Sequence, residues 1–556
     1  MTETAAEFTG NNNAEQTQGQ AYGERRGAAE KRDWKRRRCG VLLPVFSLPG
    51  EYGIGSIGAE AVKFIDYLAE AGVKVWQILP LLPTGYGDSP YQSVCSYALN
   101  YYFIDLPALC EEGLLTKEEL EGEKRGEKRG EESNEKSNGE SGGRIDYEGL
   151  FYRRVPLLKK AFSRFSSEEY AVRRAEDYAA FEAFKKAGEY YDFALFMSLK
   201  AHFSYRAYTE WGEFSVYEEA RAARFAAEHE EEVNFWQFTQ YEFLKQWKKL
   251  RAHAKERGVE IFGDMPIYVS GDSVEMWKYG KILFETDENG RQTLKAGVPP
   301  DAFCADGQLW GNPVYRWRDM KKDGYAWWRE RIKKAFELLD IVRIDHFRGF
   351  DRYYVVEAGA VTAREGRWEE GPKEELFEGM RDLPVVAEDL GVIDEGVLRL
   401  MKNAGYPGMR VLQFAFDGSA DNANKPSNSP ENSVTYTGTH DNEPFRAYME
   451  TLSDWEKERF ACDFRRECEK FGFSSCAHTP EEYCADAVRL AFASPSFLCV
   501  VPVQDLLALG SDARINAPST LSVFNWSYRF SSDALFAQAT KERLRALIEE
   551  YGRSGE

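Results

Sequence analysis

Five short apolar segments of this chain end in acidic residues. They read Arg343-Ile344-Asp345-His346, Ala387-Glu388-Asp389, Thr439-His440-Asp441-Asn442, Gly263-Asp264 and Gln504-Asp505. A single acidic residue after a strand commonly caps the next helix. Five of them, with two of only six histidines beside them, ask for chemistry. If Asp345 and Glu388 end adjacent strands, which lie roughly 4.8 Å apart, their carboxyls stand roughly 5–6 Å apart. That is the spacing at which one carboxylate attacks a sugar carbon and the other protonates the leaving oxygen, with retention of configuration. Asp345 follows Arg343 by two residues, so both side chains leave a strand on the same face and the guanidinium holds the carboxylate ionised, as a nucleophile requires. Glu388 follows the apolar Pro384-Val385-Val386-Ala387, where a raised pKa suits a general acid.

The elements that must carry these residues are eight β-rich runs, at 40–47, 74–80, 259–267, 339–347, 384–390, 409–416, 433–438 and 497–503. Most precede a helical stretch, such as 59–71 or 394–404. Eight strand–helix units predict a (β/α)8 TIM barrel of class α/β, with its site at the C-terminal ends of the strands. Continuous apolar strands fit a parallel sheet buried on both faces. The connections 81–258 and 268–338 are far too long for plain loops and hold inserted material. The first reads as helical around 148–165, 180–203 and 233–256. The second, rich in Gly, Pro and Trp, reads as an irregular lid over the 34–556 catalytic barrel. A terminal helix over 532–551 leaves no room for a C-terminal β-sandwich domain. Residues 1–33 read as a disordered N-terminal extension. The low-complexity stretch 121–143, EGEKRGEKRGEESNEKSNGESGG, reads as a disordered surface loop because it offers no apolar group to bury.

Composition narrows the partners. A net charge of −20 repels nucleic acid and anionic membranes, and the basic run at 31–38 reads as a solvated lead-in to the first strand. No apolar signal core and no long apolar span occur, so a cytoplasmic location is expected. The nine cysteines include no CxxC pair; Cys462, Cys468, Cys476 and Cys484 fit no zinc spacing and read as free thiols on helices. Aromatics make up 14% of the chain. Core is the default for the Phe residues, whereas Trp and Tyr, with polar tips, suit sugar-stacking platforms. Gly53-Ile54-Gly55-Ser56-Ile57-Gly58 matches G-x-G-x-x-G, but the next strand, 73–80, lacks the acidic residue a dinucleotide site needs, so the glycines read as a tight turn.

Longer motifs surround these residues: LPLLPTGYGDSPYQ at 79–92, GDMPIYV at 263–269, GVPPD at 297–301, GQLWGNP at 307–313, RIDHFRG at 343–349, AEDLG at 387–391 and THDN at 439–442. Through them residues 40–529 resemble the amylomaltases, or 4-α-glucanotransferases (disproportionating enzymes). The resemblance implies that Asp345 is the nucleophile, Glu388 the acid/base and Asp441 a carboxylate that stabilises the transition state. It places Arg343 and His440 beside the cleaved bond and Tyr91, Asp264, Gln308, Trp310 and Asn312 along the glucan groove. It implies an α-1,4-glucan donor, a glucose or glucan acceptor, transfer in preference to hydrolysis, no metal and no diffusible cofactor. The chain departs from the family pattern at Leu99-Asn100-Tyr101-Tyr102, at Asn516-Ala517-Pro518-Ser519-Thr520 (usually Asn-x-Pro-Gly-Thr) and at Pro444. These departures touch the outer groove and the preferred chain length. Two other readings use the same residues: an α-glucan hydrolase, and a non-catalytic glucan-binding protein, against which three intact carboxylates argue.

Overall fold

The computed structural model describes residues 34–131, 141–300, 305–391 and 393–555. The expected N-terminal extension, 1–33, lies outside them, as does Asp301. Eight parallel strands make the central sheet: β1 Arg38–Leu42, β2 Val75–Gln77, β3 Glu260–Met265, β4 Ile341–Ile344, β5 Val385–Ala387, β6 Gly408–Val411, β7 Ser433–Tyr436 and β8 Leu498–Pro502. Each falls within or overlaps one of the eight apolar runs. The sheet order is β5-β4-β3-β2-β1-β8-β7-β6, which leaves only β5 and β6 to meet. They meet through Ala387 N–H on the Pro407 carbonyl at 2.9 Å. The buried Asp389 carboxylate completes the seam, accepting from Met409 N–H at 2.6 Å and from Arg410 Nη1 at 3.1 Å. A side chain on Gly408 would put its Cβ 2.3 Å from that carboxylate, so only glycine admits this approach. The (β/α)8 barrel is thus closed, partly by a side chain standing in for a ladder.

The foot of the barrel is sealed by Arg553, fully buried, whose guanidinium donates to the carbonyls of Phe492, Ser494, Ser496 and Arg38. Gly555 N–H reaches the Arg37 carbonyl at 3.1 Å, so both ends of this unit lie side by side.

The connection between β2 and β3 is helical, chiefly Tyr147–Phe165, Ala175–Ala187, Tyr191–His202 and Glu230–Glu256. Three expectations change. The stretch 121–143 is not unstructured at its ends. Helix Lys117–Glu131 runs into it, and strand Ser141–Arg144 pairs antiparallel with Tyr528–Phe530; residues 132–140 lie outside the described ones. Glu, Lys and Arg are good helix formers. The buried Glu123 lies 3.7 Å from Arg153 Nε, and Lys124 pairs with Glu51 at 2.6 Å, so charges anchor a segment that has no apolar face. The lid is also more regular than expected. Strands Leu294–Val298 and Gln308–Pro313 join Arg352–Glu357 and Gly366–Glu370, inserted after β4, in a four-stranded antiparallel sheet. The expected terminal helix divides into Ser532–Leu535 and Gln538–Tyr551.

Most of the aromatic excess is core: Trp76, Trp211, Trp236, Trp247 and Trp328 are each under 2% exposed. The eight described cysteines are free thiols, and Cys476 sits in a loop, not a helix. Among the described residues no helix is long and apolar enough to cross a membrane. The glycine-rich turn holds no room for a phosphate. The Asp105 carboxylate sits where a Gly58 side chain would be, at the start of helix Ala59–Ala71, and accepts from Ser56 Oγ at 2.8 Å.

Candidate active site

The end of β4 carries Asp345, whose N–H donates to the Met265 carbonyl at 3.0 Å. Glu388 follows β5, its N–H on the Ile344 carbonyl at 3.0 Å. Since Ala387 is paired with Ile344, Glu388 stands directly beside Asp345. One strand spacing separates them, so their carboxyls are roughly 5–6 Å apart. Asp264 on β3 is paired with Arg343 on β4. The Arg343 guanidinium gives two bonds to Asp264 Oδ2, at 3.0 and 2.7 Å, and one to Asp345 Oδ1 at 2.9 Å. Tyr91 Oη donates to the same Asp264 oxygen at 2.6 Å. The Asp264 side chain is 0% exposed and that of Asp345 is 30% exposed, so the arginine is rooted below the groove and reaches up to Asp345.

The charges follow from this sharing. Burial works against the guanidinium charge, but Asp264, Tyr91 and Asp345 hold Arg343 protonated. Enclosure pushes the Asp345 carboxyl up, Arg343 pulls it down, and the negative charges of Asp264, Glu388 and Asp441 push it up again. Arg343 therefore does not simply hold Asp345 ionised, as the sequence suggested, because most of its bonding goes to Asp264. Glu388 is pushed up to about 7 by burial, against the field of Arg343 and two backbone bonds, from Leu390 N–H and His346 N–H, both at 2.7 Å. The two neighbours keep a proton that isolated carboxyls would release. The guanidinium contact at Asp345 favours the charge there and the proton on Glu388. Burial and the nearby Arg348 push His346 down to about 3, and burial lowers His440, so both imidazoles are neutral near pH 7.

Asp441 stands beyond β7. Its Oδ1 accepts from Asn516 Nδ2 at 2.7 Å, and Oδ2 lies 3.4 Å from His440 Nε2. Tyr91 is stacked on His440 with ring centroids 5.3 Å apart, and Trp526 lies 5.7 Å from Tyr91. Across the groove the lid strand Gln308–Pro313 points alternate side chains one way. Trp310 donates to Gln308 Oε1 at 3.1 Å and stands edge-on to His346 at 4.7 Å. Asn312 differs from the expected groove wall. It is 5% exposed, and its amide is taken by the Val269 carbonyl at 2.7 Å and by Gln92, which ties the lid to the Tyr91 loop.

Two of the strand-end acids are structural. Asp389 closes the barrel seam. Asp505 accepts from Thr437 Oγ1 and from Phe445 N–H at the start of helix Phe445–Thr451. Sequence reasoning missed Asn516, Arg514, Glu443 and Trp526 as parts of the site. Asn516 showed only as the first residue of a segment that departs from the family pattern, and nothing in local spacing tied it to Asp441, 75 positions earlier. Among the described residues, one acidic group is close enough to hold a cation: Glu112, Asp177 and Glu242, outside the groove. Lys245 already lies among them, at 2.8, 3.3 and 2.7 Å.

Comparison with known proteins converges on one family. The sequence profile described as 4-alpha-glucanotransferase matches residues 43–535. A 4-alpha-glucanotransferase of Streptococcus pneumoniae serotype 4 is 42% identical over 533 residues, covering 94% of this chain and 98% of its own length. That of Thermus thermophilus is 42% identical over 527 residues, covering 92% and 98%. The structure of an amylomaltase from Streptococcus agalactiae in complex with acarbose superposes with a TM-score of 0.82 at 36% identity, over 93% of this chain and all of the other. Barrel, carboxylate cluster and relatives agree: this chain belongs to the 4-alpha-glucanotransferase family, the amylomaltases.

Proposed function

We propose that the groove carries out 4-α-glucan transfer by double displacement, with Asp345 as nucleophile, Glu388 as acid/base and Asp441 as the group that holds the distorted sugar. In the first step an Asp345 oxygen attacks the anomeric carbon of an α-1,4-glucan. The bond to the leaving O4 breaks, and that oxygen takes the Glu388 proton. In the second step Glu388 removes the proton from the 4-hydroxyl of an incoming glucose or glucan. That oxygen displaces Asp345, and the two inversions restore the α configuration. Asp441, more exposed than Asp345, accepts hydrogen bonds from ring hydroxyls while positive charge builds on the ring. Tyr91, backed by the buried His440 and Trp526, and Trp310 are partly exposed and offer flat faces to pyranose rings, which retains an acceptor sugar in competition with water.

The observation that carries this reading is the asymmetric pair. Two carboxyls stand side by side on neighbouring strands, both pushed up by burial, and only Asp345 has the Arg343 guanidinium in contact, at 2.9 Å. The test uses pure maltotriose and α-maltosyl fluoride. Maltotriose gives glucose and a ladder of longer chains with a nearly constant number of reducing ends. The Glu388→Gln enzyme is still glycosylated by the fluoride, stalls, and is restarted by azide to give the α-azide. The Asp345→Asn enzyme gives at most the β-azide. A steady rise in reducing ends without longer chains identifies a hydrolase, and reversed azide configurations exchange the two roles.

A further inference from the structure

Asp441 stands on a turn with its side chain 44% exposed, which leaves a carboxylate free to swivel unless something fixes it. Among the described residues it accepts one side-chain hydrogen bond, from Asn516 Nδ2 at 2.7 Å. His440 is neutral, and at 3.4 Å it is too far for a good bond. Asn516 is itself 9% exposed and held from below. Arg514 Nε donates to the Asn516 carbonyl at 2.7 Å, its Nη2 to the Asp441 carbonyl at 3.0 Å, and its Nη1 is paired with Glu443. One guanidinium therefore ties the backbone of the donor to the backbone of the acceptor, and the amide completes the bracket.

We propose that Asn516 is a positioning residue for the transfer reaction: it aims the Asp441 carboxylate at the ring hydroxyls and leaves its charge intact. This rests on the role given to Asp441 above. The residue type fits the task. A lysine or arginine at this place would orient the carboxylate equally well but would offset the negative charge that faces a cationic ring. An amide donates one bond and adds no charge. The other carboxylate oxygen stays available to the sugar.

The test compares the parent with Asn516→Ala and Asn516→Asp on maltotriose, from about pH 5 to pH 8, with melting temperatures alongside. Losing one bond to a charged group lowers kcat by about 10- to 100-fold for Asn516→Ala, with KM changed by less than about threefold. Asn516→Asp puts two carboxylates within hydrogen-bond reach, and such a pair keeps one proton into the neutral range. While it does, the shared proton replaces the amide hydrogen and turnover stays within about threefold of the parent. Once both ionise they repel, so the ratio of variant to parent falls as pH rises, by about tenfold per pH unit above the shared pKa. A merely structural residue would lower the melting temperature and scale activity equally at every pH. The proposal is overturned if the Asn516→Asp ratio is flat with pH, or if Asn516→Ala is within about twofold of the parent. Should Asn516→Ala not fold, the Asn516→Asp profile decides alone. Asp441→Asn in the same assay separates the two layers. If it keeps parental turnover, the role of Asp441 fails; if it is inactive while the Asn516 variants are parental, only this inference fails.

Discussion

Replacing Glu388 by glutamine should abolish most transfer and yet shift stability in favour of the variant as pH rises. A free glutamate ionises near 4.5, and here burial pushes Glu388 up to about 7. Between those values the folded chain keeps a proton that the unfolded chain releases. Folding stability must therefore fall as pH rises through that window, and level off above about 7. At 1.36 kcal/mol per pH unit the full fall is about 3 kcal/mol, and partial solvent access to the groove reduces it to about 2–3 kcal/mol. Glutamine cannot ionise, so the variant escapes the loss. Its amide also meets two backbone N–H donors, of Leu390 and His346, and suits only one. That mismatch costs the same at every pH, so the signal lies in the slope and not in the offset. Urea denaturation of both proteins at half-unit steps from about pH 4 to pH 8 measures it; Asp345 titrates with Glu388, so the difference reports the proton that the pair keeps, and the remaining common groups cancel to first order. The stability difference should move in favour of the variant by about 2–3 kcal/mol across the window. In the parent, turnover of maltotriose should fall about tenfold per unit above pH 7, as the acid loses its proton. A stability difference that stays constant from pH 4 to pH 8 would refute the reasoning, because Glu388 would then ionise like a free carboxyl.

Arg343→Met strips the fully buried Asp264 of its cation and should cost about 3–5 kcal/mol of stability, seen in the denaturation midpoint. Asp389→Ala removes the side chain that bridges β5 and β6 and strands the Met409 N–H and Arg410; a loss of about 2–4 kcal/mol is expected, whereas a loss under about 0.5 kcal/mol would mean the backbone alone closes the barrel. Deleting 132–140 with a short linker should leave the melting temperature within a degree or two, but deleting all of 121–143 should lower it by several degrees, because it takes away Glu123, Lys124 and the strand paired with Tyr528–Phe530.

The barrel and its strand-end acids could be read from sequence because each strand is largely buried on both faces and therefore carries mostly apolar residues, most completely in Val385-Val386-Ala387. An acid that interrupts such a run at its C-terminal end is conspicuous. Strand Gly366–Glu370 gave no such signal, since its residues are almost all exposed and four of the five are not apolar; it exists because Arg352–Glu357 templates it. Helix Lys117–Glu131 was missed for a related reason: counting apolar groups ignores what a buried ion pair and helix propensity contribute together. Asn516 could not be assigned because its partner comes from another barrel strand, and only the closed barrel brings them within 2.7 Å. The default of Asp345 held ionised by Arg343 overlooked competition: the register that sets Arg343 beside Asp345 also sets it beside Asp264.

Arg553 gathers carbonyls from Arg38, at the head of β1, and from Ser496, just before β8, while Gly555 is bonded to Arg37. The substrate groove opens at the other end of the same strands. Residues 37 and 555 could therefore be joined by a short peptide and the chain reopened elsewhere, giving a permuted enzyme whose strands and groove are unchanged. The same geometry suits immobilisation. A tether attached at residue 37 or 555 holds the barrel by its base, so a long polysaccharide can thread across the open mouth without meeting the support.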